Sequence, residues 1–316
     1  MTFFLMPLRR RRAVLLSGLA ALFLAACAGA PTDEAAPPAP GDETVTEPLV
    51  VGSIPDQDPE VVQRQGAKLA AYLETTLGIP VEYQPVTDYA AAVTAFKVGD
   101  LDLVWFGGLT GVQARLQVEG AQAIAQRDID EKFTSVFIAN TSTGLAPLED
   151  IADLTTLKGF SLTFGSESST SGRLMPQYFL EQAGVSLADF KGEVGFSGNH
   201  DATIKLVEAG TYEVGVLNSQ VWDTRLAAGE IDPSKVQVIW VTPPYYDYHW
   251  VMHPDGEARY GAGFTERVQA ALIELDAANA DEQEVLDLFG AAQFIPTVNE
   301  NYQDIEAVGR AIGKIQ

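Results

Sequence analysis

From Leu49 to the C-terminus, short apolar runs alternate with longer stretches in which apolar residues recur every three or four positions. The first run, Leu49-Val50-Val51-Gly52-Ser53-Ile54, predicts a strand, and Glu60 to Leu77 predicts a helix whose inner face carries Val62, Leu69, Leu73 and Leu77. Gly78 and Pro80 end that helix, because glycine tolerates the left-handed C-cap and proline cannot continue the hydrogen-bond ladder. Val81 to Pro85 predicts a second strand, Asp88 an N-cap for a helix to Val98, and Leu101 to Phe106 a third strand. Further strands are expected at Ser135 to Ala139, Ser161 to Phe164, Val214 to Leu217 and Val236 to Val241. Helices are expected at Arg173 to Gln182, Ala202 to Ala209, Phe264 to Leu275, Glu282 to Phe289 and Ile305 to Ile312. This alternation is that of an α/β protein.

The first 48 residues break the pattern. Arg9 to Arg12 form a positive leader, Ala13 to Ala25 a short apolar stretch, and Leu24-Ala25-Ala26-Cys27 a small-residue processing site. Residues 1–26 therefore read as a lipoprotein signal peptide, and Cys27, the only cysteine, as the lipidated residue. Residues 27–48 turn to Ala, Pro, Gly, Asp, Glu and Thr, a composition with too little apolar surface to fold, so they are expected to be a flexible tether. The body that follows is long enough for two lobes, since single cores stop growing near 250 to 300 residues. The formal charge of −23, more negative still without the leader arginines, disfavours nucleic acid and anionic lipid as direct partners. Any captured anion must be held by local donors rather than by a long-range field.

One segment offers such donors. Phe164-Gly165-Ser166-Glu167-Ser168-Ser169-Thr170-Ser171-Gly172 leaves a strand and enters a helix. Helix-terminal amides lack partners, the helix dipole favours negative charge there, and Ser and Thr hydroxyls can turn to donate, so the turn has the makings of an oxyanion socket. The same residues also fit ordinary N-capping in a polar loop. His249 and His253 are four apart, but Pro254 and the aromatic run around them predict a strand, which discounts zinc. Gly-x-Ser-x-Gly, the phosphate loop and His-Glu-x-x-His are all missing, so an enzyme is not expected.

Several motifs occur together in one order. They are Val51-Gly52-Ser53-Ile54-Pro55-Asp56, Val86-Thr87-Asp88-Tyr89, Gly99-Asp100-Leu101-Asp102-Leu103-Val104-Trp105-Phe106-Gly107, the Ser-Thr-Ser-Gly turn, and Gly198-Asn199-His200-Asp201. Together they resemble the phosphate, phosphite and phosphonate family of periplasmic ABC-transporter binding proteins. Within it, Trp105 to Arg115 and Phe164 to Pro176 look closest to a branch named for selenate binding. The resemblance implies a bilobed clamp of the second structural class of periplasmic binding proteins, two α/β lobes joined by two crossover segments. With crossovers near 139–144 and 241–248, lobe 1 would be 49–140 plus 244–316 and lobe 2 would be 141–243.

Carried over residue by residue, the resemblance makes Ser169, Thr170 and Ser171 oxyanion donors, Tyr89 a hydroxyl donor from the opposite lobe, and His200 a ligand contact, protonated beside an anion. Asp201 would cap the helix that follows. Phe106 stands where the family often has tyrosine and would leave an apolar wall. Tyr246 is a candidate contact. Asp247 lies near the position where phosphonate binders place a carboxylate; it either faces the cleft, where it suits a protonated anion, or turns away, which suits selenate. The protein implied is a monomeric, membrane-anchored extracytoplasmic lipoprotein that needs no cofactor and delivers a small tetrahedral oxyanion to an ABC permease and ATPase. Selenate leads as the ligand, with phosphite, phosphonate and phosphate next; a sensory lipoprotein with the same clamp is the alternative.

Overall fold

The computed structural model describes residues 47–316, so the leader, Cys27 and nearly all of the tether lie outside the described residues. From Leu49 the chain runs through strand β1 (Leu49–Ser53), helix α1 (Pro59–Leu77), β2 (Val81–Tyr83), α2 (Tyr89–Val98), β3 (Leu103–Phe106), α3 (Gly108–Gln117), β4 (Gln122–Arg127) and β5 (Ser135–Asn140). It continues through β6 (Leu162–Phe164), α4 (Met175–Gln182), β7 (Gly195–Phe196), α5 (His200–Glu208), β8 (Val214–Asn218), α6 (Ser219–Ala227), β9 (Val236–Val241) and β10 (His249–Met252). It closes with α7 (Asp255–Tyr260), α8 (Phe264–Ile273), α9 (Ala280–Phe289), β11 (Phe294–Pro296) and α10 (Gln303–Ala311).

The strands form two mixed sheets, one of six strands in the order β11-β4-β10-β3-β1-β2 and one of five in the order β7-β6-β8-β5-β9. Each sheet with its helices is a lobe, which is the bilobed α/β architecture expected. The caps follow local chemistry: Asp88 accepts the amide of Ala91 at the start of α2, and Gly78 ends α1 with φ 67°. In β5, Val136 and Ile138 join Ile204, Val207 and Trp222 in one core cluster, while Phe137 and Ala139 face Phe179 and Trp240 in the other. The two-residue period of the strand thus fills both faces of the second sheet.

β5 corrects the expected lobe boundary. Placed at the end of the first lobe by its sequence position, it pairs antiparallel with β8 and β9 in the second sheet. The first crossover is therefore the segment 128–134, ahead of β5, rather than 139–144. The second runs from β9 to β10 over 242–248. The two crossovers are bonded to each other, Phe133 N to Tyr245 O and Tyr245 N to Phe133 O, both at 2.9 Å. Phe133 also packs edge-on to Tyr248, which stacks on Trp105, so the hinge is walled by aromatic rings.

Candidate functional site

The site grows from the start of α3. Its N-cap is Gly107, which has no side chain to satisfy the free amides of the first turn. Those amides are met from elsewhere: Gly108 N donates to Asp247 Oδ1 at 2.8 Å and Leu109 N to Thr170 Oγ1 at 2.9 Å. Asp247 belongs to the second crossover and Thr170 to the second lobe. The positive end of α3 is thus turned toward the Ser169–Gly172 turn across the cleft.

That turn begins a helix earlier than the sequence predicts. Leu174 N bonds Ser169 O and Met175 N bonds Thr170 O, five residues back, so one wide turn over Thr170–Leu174 precedes α4. Wide turns of this kind recur at functional sites. Ser169 is the N-cap, its Oγ accepting Gly172 N at 2.9 Å. Thr170 spends its acceptor on Leu109 and keeps one hydroxyl hydrogen. Three buried polar atoms have no hydrogen-bond partner among the described residues here: Ser171 Oγ, Tyr89 Oη and Asp247 Oδ2. Tyr89 lies toward Ser169 and Asp247, without a hydrogen bond of normal geometry.

Asp247 is fully buried, and its carboxyl is pushed up to about 7, chiefly by burial. Nearby Asp130 raises it further, against the Gly108 amide, the Thr170 hydroxyl and Arg127. Asp56 is pushed up to about 6, again by burial first, against the hydroxyl of Tyr248. A buried carboxyl with one unpartnered oxygen, pushed toward neutrality as Asp247 is, is able to exchange a proton with a bound group.

His200 differs from the expected protonated contact. Its Nδ1 accepts Asn218 N at 3.4 Å and its Nε2 lies 3.2 Å from Tyr248 Oη, which fixes Nε2 as the donor. Burial pushes its pKa down to about 4, so the ring is neutral. It sits beneath the Ser169–Gly172 turn, with Cε1 close to Gly172. Asp201 is not the cap of α5; Asn199 is, accepting Ala202 N at 2.8 Å, because α5 starts two residues earlier than predicted. Phe106 packs edge-on against Phe96 in the core of the first lobe rather than standing as a bare cleft wall. Tyr246 is half-buried against Tyr302 and lines a separate cavity of about 650 Å³ with Pro243, Pro244 and Tyr178. The segment of His249 and His253 is extended, as β10, in agreement with its aromatic pattern.

Sequence reasoning assigned no role to Asp56, Asn218 or the Arg127–Asp130 pair. Asp56 stood inside a quoted motif, but only its burial beside Tyr248 shows what it does. Asp130 is only three residues from Arg127, but the other groups around the guanidinium, Gln220, Phe289, Trp105 and Tyr248, come from four distant segments that no local pattern announces.

Further bonds join the lobes at the rim. His200 N donates to Asp56 O at 2.9 Å and Asp58 N to Asp201 Oδ2 at 2.7 Å, with Lys205 Nζ 2.9 Å from Asp58 Oδ2. Arg225 holds Asp201 ready, Nε to Oδ1 at 2.6 Å. Lys205→Glu sets a carboxylate against Asp58 on an exposed rim. It is expected to speed ligand release a few-fold, about 1 kcal/mol or less, most clearly at low salt. Stopped-flow release rates at two ionic strengths check this, and equal rates for the two proteins at low salt would sink it.

Two α/β lobes joined by paired crossovers, with unspent hydroxyls and the buried Asp247 carboxyl between them, have the architecture of a bilobed periplasmic binding protein. Within that class the chain belongs to the periplasmic phosphonate substrate-binding family of ABC transporters, whose profile matches residues 51–302. It is 48% identical over 269 residues to the probable ABC transporter phosphite binding protein PhnD1 of Prochlorococcus marinus, covering 85% of this chain and 91% of that one. The structure of that PhnD1 in complex with methylphosphonate superposes with a TM-score of 0.83 over 84% of this chain and 98% of that chain. The phosphonates-binding periplasmic protein of Escherichia coli is 27% identical over 201 residues, 62% of this chain and 57% of that one.

Proposed function

We propose that this protein captures a monoprotonated tetrahedral phosphorus oxyanion, phosphite or a small alkylphosphonate, and hands it to its ABC permease. The observation that carries this reading is Asp247: fully buried, one oxygen on the Gly108 amide, the other with no partner among the described residues, beside the hydroxyls of Thr170 and Tyr89. Phosphorus oxyanions change protonation near neutrality, as Asp247 does, so ligand and carboxyl share one proton in a hydrogen bond whichever side holds it. Selenate and sulfate bring no proton and would set two like charges together. The buried carboxyl therefore argues for the phosphorus anions over selenate. The phosphite-binding name of PhnD1 and its methylphosphonate complex support the same choice.

The donors for the anion are Ser171 Oγ and Tyr89 Oη, with the single hydroxyl hydrogen of Thr170 able to turn from Asp247 to the anion and the dipole of the helix that starts at Thr170 behind them. Asp247 is the acceptor, and His200 supports the turn through Tyr248 and Asn218. Binding draws 49–127 with 249–316 against 135–241, through changes in the two crossovers, and the closed form is what the permease reads. Lipidation of Cys27 and the acidic tether would keep a monomer at the outer face of the membrane.

Calorimetric titration with phosphite, methylphosphonate, phosphate, sulfate and selenate at one pH and ionic strength tests the reading. Preference for phosphite or methylphosphonate is expected; tighter binding of selenate or sulfate would overturn it. Ser171→Ala removes a hydroxyl that bonds nothing else among the described residues. It is expected to cost about 1 to 3 kcal/mol of phosphite affinity while leaving the melting temperature near that of wild type. Unchanged affinity would remove Ser171 from the contact set.

A further inference from the structure

The Gly107-Gly108-Leu109-Thr110-Gly111 run supplies no side-chain donor to the anion from its glycines, yet Gly107 and Gly108 face the second crossover and Gly111 faces His249, the first residue of β10. A Cβ on Gly107 would lie 3.1 Å from Thr170 Oγ1 and 3.3 Å from Asp247 Oδ1, and one on Gly108 would lie 3.2 Å from the carbonyl oxygen of Tyr246. A Cβ on Gly111 would overlap the imidazole of His249 at Nε2 and Cε1. Gly111 sits inside α3 with no left-handed backbone to explain it, and glycine there costs roughly 1 kcal/mol relative to alanine. What the glycine provides is a notch for the ring.

His249 fills that notch completely. Its ring is stacked 3.7 Å from that of Tyr302 on the other side and has no exposed surface. Nδ1 lies 3.0 Å from the backbone oxygen of Asp247, and since a carbonyl only accepts, Nδ1 carries the hydrogen. Asp247 is therefore held at three points: its N on Asp130 O at 3.1 Å, its O on His249, and its Oδ1 on Gly108 N. Two of the three run through α3, one directly and one by way of the ring wedged against Gly111.

We propose that His249, seated in the notch left by Gly111, is a positioning residue that aims the Asp247 carboxylate and so sets the preference of the site for protonated over proton-free oxyanions. The proposal rests on the reading of Asp247 given above. A methyl group at position 111 forces the ring away from α3 and carries the Asp247 backbone with it, lengthening the bond to Gly108 and turning Oδ2 from the anion. Removing the ring frees the same carbonyl and loosens the same carboxylate. The two changes act on one contact, so their effects should not add.

The test is a double-mutant cycle on the purified protein, with methylphosphonate and sulfate as probes and the pH profile of methylphosphonate binding as second readout. Gly111→Ala is expected to lower the methylphosphonate-to-sulfate affinity ratio at least 10-fold and to move the pH midpoint. His249→Ala should do the same, and the double variant should match His249→Ala within about 2-fold. The groups facing Asp247 are Asp130 and Arg127 and the phenols of Tyr89, Tyr245, Tyr248 and Tyr302. Burial pushes all four phenols up, away from the titrated range; the anion's own ionisation and that of Asp56, which is pushed up to about 6 and bonds Tyr248 rather than Asp247, are common to every variant, so a midpoint that differs between variants reports the Asp247 carboxyl. Should Gly111→Ala fail to fold, Tyr302→Leu loosens the ring from its other side and is expected to shift ratio and midpoint in the same direction. A folded variant with the wild-type ratio and profile would overturn the positioning role alone. A wild-type protein without preference for methylphosphonate over sulfate would overturn the reading of Asp247 and this proposal together.

Discussion

Asp247→Asn is expected to weaken phosphite and methylphosphonate binding about 10- to 100-fold while raising the stability of the free protein. The loss follows from the charge-assisted bond to the protonated ligand, worth about 1.5 to 3 kcal/mol when one partner is ionised. Sulfate, which gains from removal of the like charge, should weaken less or tighten, so the selectivity ratio falls by more than either affinity. The stability gain follows from linkage. Burial raises the Asp247 carboxyl from 3.8 to about 7 in the folded chain, so the unfolded chain releases its proton first as pH rises. The folded state thus keeps its full stability below about pH 4 and loses it progressively up to about pH 7. Asparagine does not titrate, so the variant should exceed wild type by about 2 to 4 kcal/mol at pH 8, the difference fading as pH falls from 7 to 4. Urea unfolding across that pH range and calorimetry at pH 7.5 check both halves. A variant no more stable than wild type at pH 8 would mean that the carboxylate has a partner in solution, and unchanged selectivity would place the ligand elsewhere.

The fold was legible where a local rule was enough. Asp88 before Tyr89 and Gly78 after Leu77 mark helix ends by chemistry that acts over one turn, and both stand where predicted. β5 was read correctly as a strand but assigned to the wrong lobe. Its pattern, Ser-Val-Phe-Ile-Ala, states that both faces are buried and says nothing of which sheet receives it. The start of α5 was missed because Asn199 and Asp201 are both good caps and only the backbone distinguishes them. In the site, hydroxyls clustered in one turn announced themselves, whereas the state of each group did not. Ser169 is spent on its own helix, Thr170 is half spent on the opposite lobe, and of the three only Ser171 keeps its hydroxyl unpaired among the described residues, a division set by partners up to 61 residues away. The neutral His200 and the half-free Asp247 are likewise products of burial, which no residue type carries in its sequence neighbourhood.

Asp130→Ala is expected to cost about 3 to 5 kcal/mol of stability, because it strands a guanidinium in the hinge. Arg127 and Asp130 form a bidentate pair, Nε to Oδ2 at 2.8 Å and Nη2 to Oδ1 at 2.7 Å, with side chains 4% and 0% exposed. The guanidinium lies over Tyr248 at 4.8 Å and over Trp105 and Phe133 at 5.4 Å, and Nη1 donates to Gln220 Oε1 and to Phe289 O. Arginine cannot shed its proton at any usual pH, so without Asp130 the charge must either stay buried or swing out and unpack the rings that join the crossovers. Pairing this change with Arg127→Met removes the stranded charge, and since buried ion pairs are often nearly neutral against apolar replacements, the double variant should recover much of the loss. The expected signature in urea is a lowered midpoint with an unchanged slope for Asp130→Ala, and a midpoint closer to wild type for the double variant. A single variant within about 1 kcal/mol of wild type would mean that the pair is solvated in the folded hinge. The backbone oxygen of residue 130 still accepts the amide of Asp247, so a folded fraction of the single variant should bind phosphite with the wild-type preference, separating what holds the hinge from what selects the anion.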